Sequence, residues 1–195
     1  MSSRDKILSR IEANKPDALA LPNIDLSLFD EGLDLVQEFT KKAEVVGANV
    51  IDMVSNDVVT QVENLFPDAK IKYSAIENTS AFNTIDLANI EKPQDLEDLD
   101  ILILESELAV AENGSVWVTD KQLPMRVLPF ITKHLVIVTS KDNIVSYMHQ
   151  AYHKINAGNA NDFGVFIAGP SKTADIEQSL VIGAHGALSL TLLLK

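Results

Sequence analysis

Residues Ile101-Leu102-Ile103-Leu104 form an apolar run with no polar position between them. A strand with one wet face alternates apolar and polar side chains, so an unbroken run of this length reads as a strand covered on both faces. Such strands belong to mostly parallel sheets with helices packed against them. The rest of the chain has the matching rhythm. The pattern predicts a strand over 50–54, a helix over 57–65 with Ser55 as its potential cap, and a strand over 70–74. In the last third it predicts strands over 135–139, 164–168 and 188–194, with helices over 143–155 and 174–180 between them.

Two helices are expected ahead of this core, over 4–13 and 31–46. The second carries Leu33, Val36, Phe39, Ala43 and Val46 at helical spacing, with Asp30 placed to cap its start and Gly47 its end. One segment breaks the rhythm: Leu108-Ala109-Val110-Ala111-Glu112, then Asn113-Gly114, then Ser115-Val116-Trp117-Val118. Asn-Gly between two β-rich runs predicts an antiparallel hairpin with both turn residues at positive φ. The fold expected is therefore α/β, a three-layer, mostly parallel sheet with one antiparallel hairpin. It forms a single domain over 1–195, with N-terminal helices over about 4–46 and an α/β core over about 49–195.

Composition narrows the function. Sixteen basic against 28 acidic residues give a net charge of −12, which opposes phosphate-driven binding of nucleic acid and docking on anionic membranes. The absence of cysteine excludes a disulfide framework, a thiol nucleophile, a thiolate zinc site and a cysteine-held iron–sulfur cluster carried by this chain. No cofactor motif is present, and no apolar run approaches the roughly 18 residues of a membrane span. The charged N-terminal residues do not read as a secretory signal, so a cytoplasmic location is expected. The charge is uneven: residues 91–107 hold seven acids and one base, whereas 121–160 hold five bases and one acid. The first stretch reads either as a solvated acidic surface or as a docking face.

Candidate chemistry concentrates in Gly169-Pro170-Ser171-Lys172-Thr173-Ala174-Asp175-Ile176-Glu177. A strand-to-helix turn with two hydroxyls, a cation and two carboxylates is either a well-capped helix start or an anion site at a helix N-terminus. The second stretch is Gly183-Ala184-His185-Gly186-Ala187, where small residues let the backbone approach closely around one histidine. Glu112 beside the hairpin turn, and Arg126 held between Pro124 and Pro129, complete the candidates and could also simply pair with each other. His149 and His153 stand at metal-chelating spacing, but Gln150 follows the first where a zincin has glutamate, so a solvated helix face is the better reading. No metal site is expected. The residues singled out for a ligand site are Glu112, Arg126, Ser171, Lys172, Thr173, Asp175, Glu177 and His185.

Taken together, Ala111-Glu112-Asn113-Gly114-Ser115, Arg126 before Leu128-Pro129, the nine-residue run from Gly169 and Gly183-Ala184-His185-Gly186 resemble the LUD domain family. Three positions depart from its pattern: Lys172 stands where the family usually has arginine, Asn113 where it often has threonine, and Ala187 where proline commonly follows. Lysine keeps the charge but loses bidentate anion recognition. The resemblance implies a fold similar to the NagB, ribose-5-phosphate isomerase and coenzyme A transferase group. It also implies one component of a three-part bacterial system oxidising L-lactate to pyruvate, whose iron–sulfur clusters belong to partner chains. Three functional readings follow: an accessory or regulatory subunit that binds those partners and a small anion; a stand-alone enzyme acting on a phosphorylated, folate-like or acyl-CoA substrate; or a purely structural assembly module. Whether the chain is itself an enzyme is left open by its residues.

Overall fold

The computed structural model of the chain describes residues 2–17, 19–20, 22–23, 25, 29, 32–55, 57–157, 163–174 and 180–195. In chain order the elements are α1 (Ser3–Ala13), α2 (Leu35–Val45), β1 (Asn49–Asp52), α3 (Val58–Leu65), β2 (Lys72–Ser74), β3 (Ile101–Ser106), β4 (Leu108–Val110) and β5 (Ser115–Thr119). There follow α4 (Leu128–Ile131), β6 (His134–Thr139), β7 (Ile144–Val145), α5 (Met148–Ala157), β8 (Gly164–Ile167), β9 (Lys172–Ala174), β10 (Leu180–Ile182) and β11 (Ser189–Leu194), with short 3-10 turns in the connections.

β3 lies inside a five-stranded sheet of order β1-β11-β6-β3-β2, and every pair in it is parallel. Its apolar run behaves as the missing alternation predicts: Ile101, Leu102, Ile103 and Leu104 are all fully buried. Because side chains alternate across a strand, the two isoleucines join Val62 of α3, Phe82, Val136 and Leu193 on one face. The two leucines join Phe39 and Ala43 of α2 and Val116 and Val118 of β5 on the other. Each such side chain contributes about 1.5–3 kcal/mol by leaving water, so this sheet is the mechanical centre of the chain.

The expected hairpin forms, but in a sheet of its own. β4 and β5 pair antiparallel within a four-stranded sheet of order β7-β4-β5-β8, where β8 is antiparallel to β5 and β7 parallel to β4. One face of this sheet, through Ala109 and Val116, covers the parallel sheet. The other face, through Leu108 and Val110, receives Ala151 of α5. The hairpin turn also differs from expectation. Four residues, 111–114, connect the strands, and of the Asn-Gly pair only Gly114 has positive φ, at +66°. Asn113 instead accepts hydrogen bonds from the Ser115 N–H (3.1 Å) and hydroxyl (2.7 Å).

Several boundaries move for identifiable reasons. α2 starts at Leu35 because Asp34 accepts the Gln37 N–H at 3.0 Å; Asp30 lies outside the described residues, and Gly47 ends the helix at φ +90° as expected. α3 is capped by Asp57, which accepts the Thr60 N–H at 3.0 Å, and not by Ser55. The helix predicted over 143–155 splits, because Ala109 and Val110 take Ile144 and Val145 into the second sheet as β7. The helix predicted over 174–180 is overturned: Lys172, Thr173 and Ala174 pair antiparallel with Ile182, Val181 and Leu180. Residues 175–179 between them lie outside the described residues. α1 forms behind a Ser2–Asp5 capping box and buries none of its side chains. No helix among the described residues is long and apolar enough to cross a membrane.

Candidate functional site

The two glycine-bearing stretches meet. The Ser171 N–H donates to the Ala187 carbonyl at 2.9 Å, and the Gly183 N–H to the Ser171 carbonyl at 3.0 Å. Gly186 passes so near Ser171 that an added Cβ would stand 3.1 Å from the serine Cβ. Gly183, at φ +79°, turns the chain out of β10, and its missing Cβ leaves the room that Leu188 occupies. Ser171 and His185 thereby line one groove of about 240 Å³, walled by Pro129, Phe130, Val165 and Pro170. The groove sits beside Leu135 at the start of β6 and Ala187 just before β11, at the amino ends of those parallel strands. The strand that leads into it, β8, belongs to the second sheet and runs antiparallel to β5, so the run from Gly169 does not follow a strand of the parallel sheet.

Gly169 explains how the groove is held. Its φ is +72°, and a Cβ there would come 2.2 Å from the Val46 carbonyl oxygen at the end of α2. Lys172 secures the same contact, since its ammonium donates to the Val46 carbonyl. A cation at a helix C-terminus satisfies a carbonyl that has no intrahelical donor. Lys172 is therefore committed to α2 and does not line the groove. Thr173 sits in β9 opposite Val181, also outside the groove lining. Asp175 and Glu177 lie outside the described residues, and the helix start they were expected to complement is replaced by a strand pair.

Glu112 and Arg126 are engaged elsewhere, and not with each other. Glu112 Oε2 accepts the Met148 N–H at 2.8 Å, so this carboxylate caps the first residue of α5. Arg126 donates to Asp120 Oδ2 at 2.9 Å and lies over the Phe163 ring at 5.0 Å. Of the eight candidates, the structure brings Ser171 and His185 together in one groove.

The acidic stretch resolves into separate jobs. Asp100 accepts the Lys70 and Ile71 N–H groups at 2.9 Å and the Lys133 ammonium at 2.8 Å, tying the starts of β2, β3 and β6. The Ile71 N–H above all, with Lys133, holds its pKa down to about 2. Asp95 accepts the Lys92 N–H, and Glu105 pairs with Lys195. Sequence reasoning passed over His134, whose Nδ1 is 2.8 Å from the Ser189 hydroxyl and whose ring stacks on Phe66. Burial pushes its pKa down. His149 packs against Phe29 and Tyr147, and among the described residues no group of three or more such side chains could hold a metal ion.

Sequence reasoning also missed a larger cleft of about 630 Å³, at the other end of the parallel sheet. Met53 after β1, Ile76 after β2, Val138 in β6 and Lys195 after β11 line it, with Asp57 and Glu77 on its wall. No motif announces it, because its lining comes from four segments far apart in sequence.

A fully parallel five-stranded sheet, covered on one face by α3 and on the other by a mixed sheet and α2, defines an α/β domain whose glycine-bearing loops close a small groove at its amino edge. The model of the LUD domain matches residues 36–194, from the second residue of α2 to the last of β11, and the chain belongs to the LUD domain family. Among curated proteins it is similar to Lactate utilization protein C 1 of Bacillus mycoides, 25% identical over 213 aligned residues that cover 94% of this chain and 91% of that one. A match to Lactate utilization protein C of Anoxybacillus flavithermus is 36% identical over 86 residues, covering 44% of this chain and 39% of the relative. Among solved structures, a DUF162 family protein from Deinococcus radiodurans superposes with a TM-score of 0.63 at 13% identity, over 83% of this chain and 96% of that one. That last likeness is one of fold.

Proposed function

We propose that this protein is an accessory or regulatory component of a bacterial L-lactate utilisation system, in which partner chains bearing iron–sulfur clusters oxidise lactate to pyruvate. The observation that carries this reading is the near full-length similarity to a protein named for lactate utilisation. The lack of any cysteine supports it, since a chain without thiolates needs partners for cluster-borne electron transfer. The groove between Ser171 and His185 would take a small anion, with the serine hydroxyl and the imidazole as the polar groups and Phe130 and Val165 as apolar walls. Lys172 is left out of that role by its bond to Val46.

The test is in two parts. Tagged protein is purified from cells grown on L-lactate, and the strain lacking its gene is grown on L-lactate as sole carbon source. Co-purification of iron–sulfur proteins together with lost growth is the expected result. A chain that purifies alone from a strain whose deletion leaves growth intact overturns the proposal. For the groove, L-lactate and pyruvate are expected to raise the melting temperature of the wild type and not of S171A/H185A. A ligand present at 100 times its dissociation constant adds about 2.7 kcal/mol of stability, so a flat response is decisive.

A further inference from the structure

Strands β9 and β10 form a two-stranded arm apart from both larger sheets. The arm is anchored through β9, where Lys172 donates to the Val46 carbonyl. The phase of its ladder fixes which groups β10 turns outward. In an antiparallel pair, opposed residues alternate between exchanging both backbone bonds and turning those groups away. The Gly183 N–H bond to the Ser171 carbonyl makes Ile182 and Lys172 a pair of the second kind, and Val181 and Thr173 one of the first. Leu180 and Ile182 therefore present their N–H and C=O groups on the side away from β9, where no strand among the described residues meets them.

An open edge of this kind is a template for another strand, and proteins usually blunt it with a charge, a proline or a bulge. None of these stands in Leu180-Val181-Ile182. Val181 and Ile182 are each nearly half exposed, as are Leu188, beside Gly183, and Phe130, on the wall of the groove that holds Ser171. Charge selects the occupant. The chain carries −12, so two copies repel wherever acidic surfaces meet. Residues 178–194 contain no Asp, Glu, Lys or Arg, so at β10 two copies can meet without opposing like charges, whereas a basic partner would be drawn to the acidic surface instead. An edge strand also suits a two-fold axis, because antiparallel pairing with its own copy uses the same groups on both sides.

We propose that this edge joins two copies of the chain: β10 pairs antiparallel with β10 of a second copy about a two-fold axis at Val181. Leu180 and Ile182 of one copy then exchange backbone hydrogen bonds with Ile182 and Leu180 of the other, and the two arms become one continuous sheet with Leu188 beside the join. With three residues in each strand the contact is small, so the dimer is weak and reversible. It does not depend on what the Ser171–His185 groove binds, and either can fail without the other.

The test is sedimentation velocity of the full chain from about 10 µM to about 1 mM, the range in which small interfaces associate. The wild type should shift from monomer towards dimer as concentration rises. Ile182→Pro removes a backbone N–H that bonds nothing within the protomer and should stay monomeric throughout. Val54→Ser, at a fully exposed side chain beyond β1, should match the wild type. Added salt should strengthen the dimer, because it screens the repulsion between two acidic bodies and finds no ion pair to weaken at the join. A second readout uses the absence of cysteine. Across the two-fold axis the two copies of Val181 form a non-hydrogen-bonded pair with Cα atoms about 4.5 Å apart, within reach of a disulfide. V181C should therefore form a covalent dimer on mild oxidation faster than V54C by about tenfold or more, which keeps the test valid if I182P disturbs the arm. A wild type that is monomeric at the highest concentration, dimerisation of I182P equal to that of the wild type, equal oxidation rates of V181C and V54C, or a dimer weakened by salt overturns the proposal.

Discussion

At the amino ends of β6 and β11 the chain closes a small groove with glycine loops pressed against α2, whereas at the carboxyl ends of β1, β6 and β11 it leaves a cleft of 630 Å³ against 240 Å³. The amino end depends on backbone meeting backbone: Gly169 lies against the Val46 carbonyl, and Gly186 against Ser171. The carboxyl end depends on side chains, with Val58, Ile76 and Val138 lining its cleft together with Asp57 and Glu77. The difference teaches where substitution is tolerated. Close backbone contact leaves no room for a Cβ, whereas a wall of side chains can change its chemistry without moving the strands.

Both ends hang on one sheet, so the largest effect should come from its middle and should not distinguish them. Ile103→Ala empties a fully buried position between Val136, Val138 and Val62, and large-to-small changes of this kind cost about 2–5 kcal/mol. Chemical denaturation should show a lower midpoint with an unchanged slope. Val181→Ala in the β9–β10 pair, at a half-exposed side chain, should stay within about 0.5 kcal/mol. A comparable loss from the two would mean that the pair packs on the core, contrary to its exposure.

Next in size comes a change that separates the ends. Gly169→Ala places a Cβ 2.2 Å from the Val46 carbonyl at a φ of +72°, which costs about 1–3 kcal/mol through backbone strain and overpacking. The L-lactate response of the groove should vanish while the NMR resonances of residues 57–60 and 76–79, at the other end, keep their wild-type positions. Changes at both ends would show that the ends are coupled through the sheet.

The same contrast explains what was legible in the sequence. Strands β3 and β6 stood out because their apolar runs, 101–104 and 135–138, carry no polar break. The groove stood out in part because glycine is needed where chains touch, so Gly169 and Gly183 flagged loops that do meet. The segment after Gly169 misled because Ser171, Thr173 and two acids imitate a helix start, while its actual partner is the stretch just downstream; Thr173 and Val181, both β-branched, favour that strand pair. Glu112 and Lys172 looked like ligand groups because charge next to a turn reads the same whether it faces a ligand or caps a helix. Only the fold shows Met148 above the one and Val46 beside the other. The larger cleft uses ordinary residues from four distant segments and leaves no local pattern to find.

A smaller effect concerns acidity. Asp100 joins the amino ends of three parallel strands, and its pKa is held near 2 against an ordinary 3.8. A group with a lowered folded pKa contributes stability above its unfolded pKa and loses it as pH falls from about 3.8 through about 2. With a fifth of the side chain exposed and solvent screening, the contribution is about 1–2 kcal/mol. Asp100→Asn should remove that part of the acid-unfolding slope. His134, whose folded pKa is lowered by burial, works in the same direction at higher pH: the unfolded chain takes up its proton first, so stability falls as pH drops below about 6.5. His134→Gln should flatten the stability profile there and leave the acid limb in place.

The smallest effect carries the sharpest distinction about the groove. Lys172 donates to the Val46 carbonyl at the end of α2, and a cation at a helix C-terminus contributes about 0.3–1 kcal/mol. If that is its role, Lys172→Met lowers stability by about this amount and leaves the L-lactate-induced rise in melting temperature the same size. If the ammonium instead swings to an anion in the groove, stability barely changes and lactate affinity falls about tenfold or more, since a lost charge-assisted contact is worth about 1.5–3 kcal/mol. Lys172→Arg separates the two further. A forked guanidinium gains from a carboxylate that it can grip bidentately but gains little from a single carbonyl oxygen, so tighter lactate binding in that variant would move the cation from α2 into the groove.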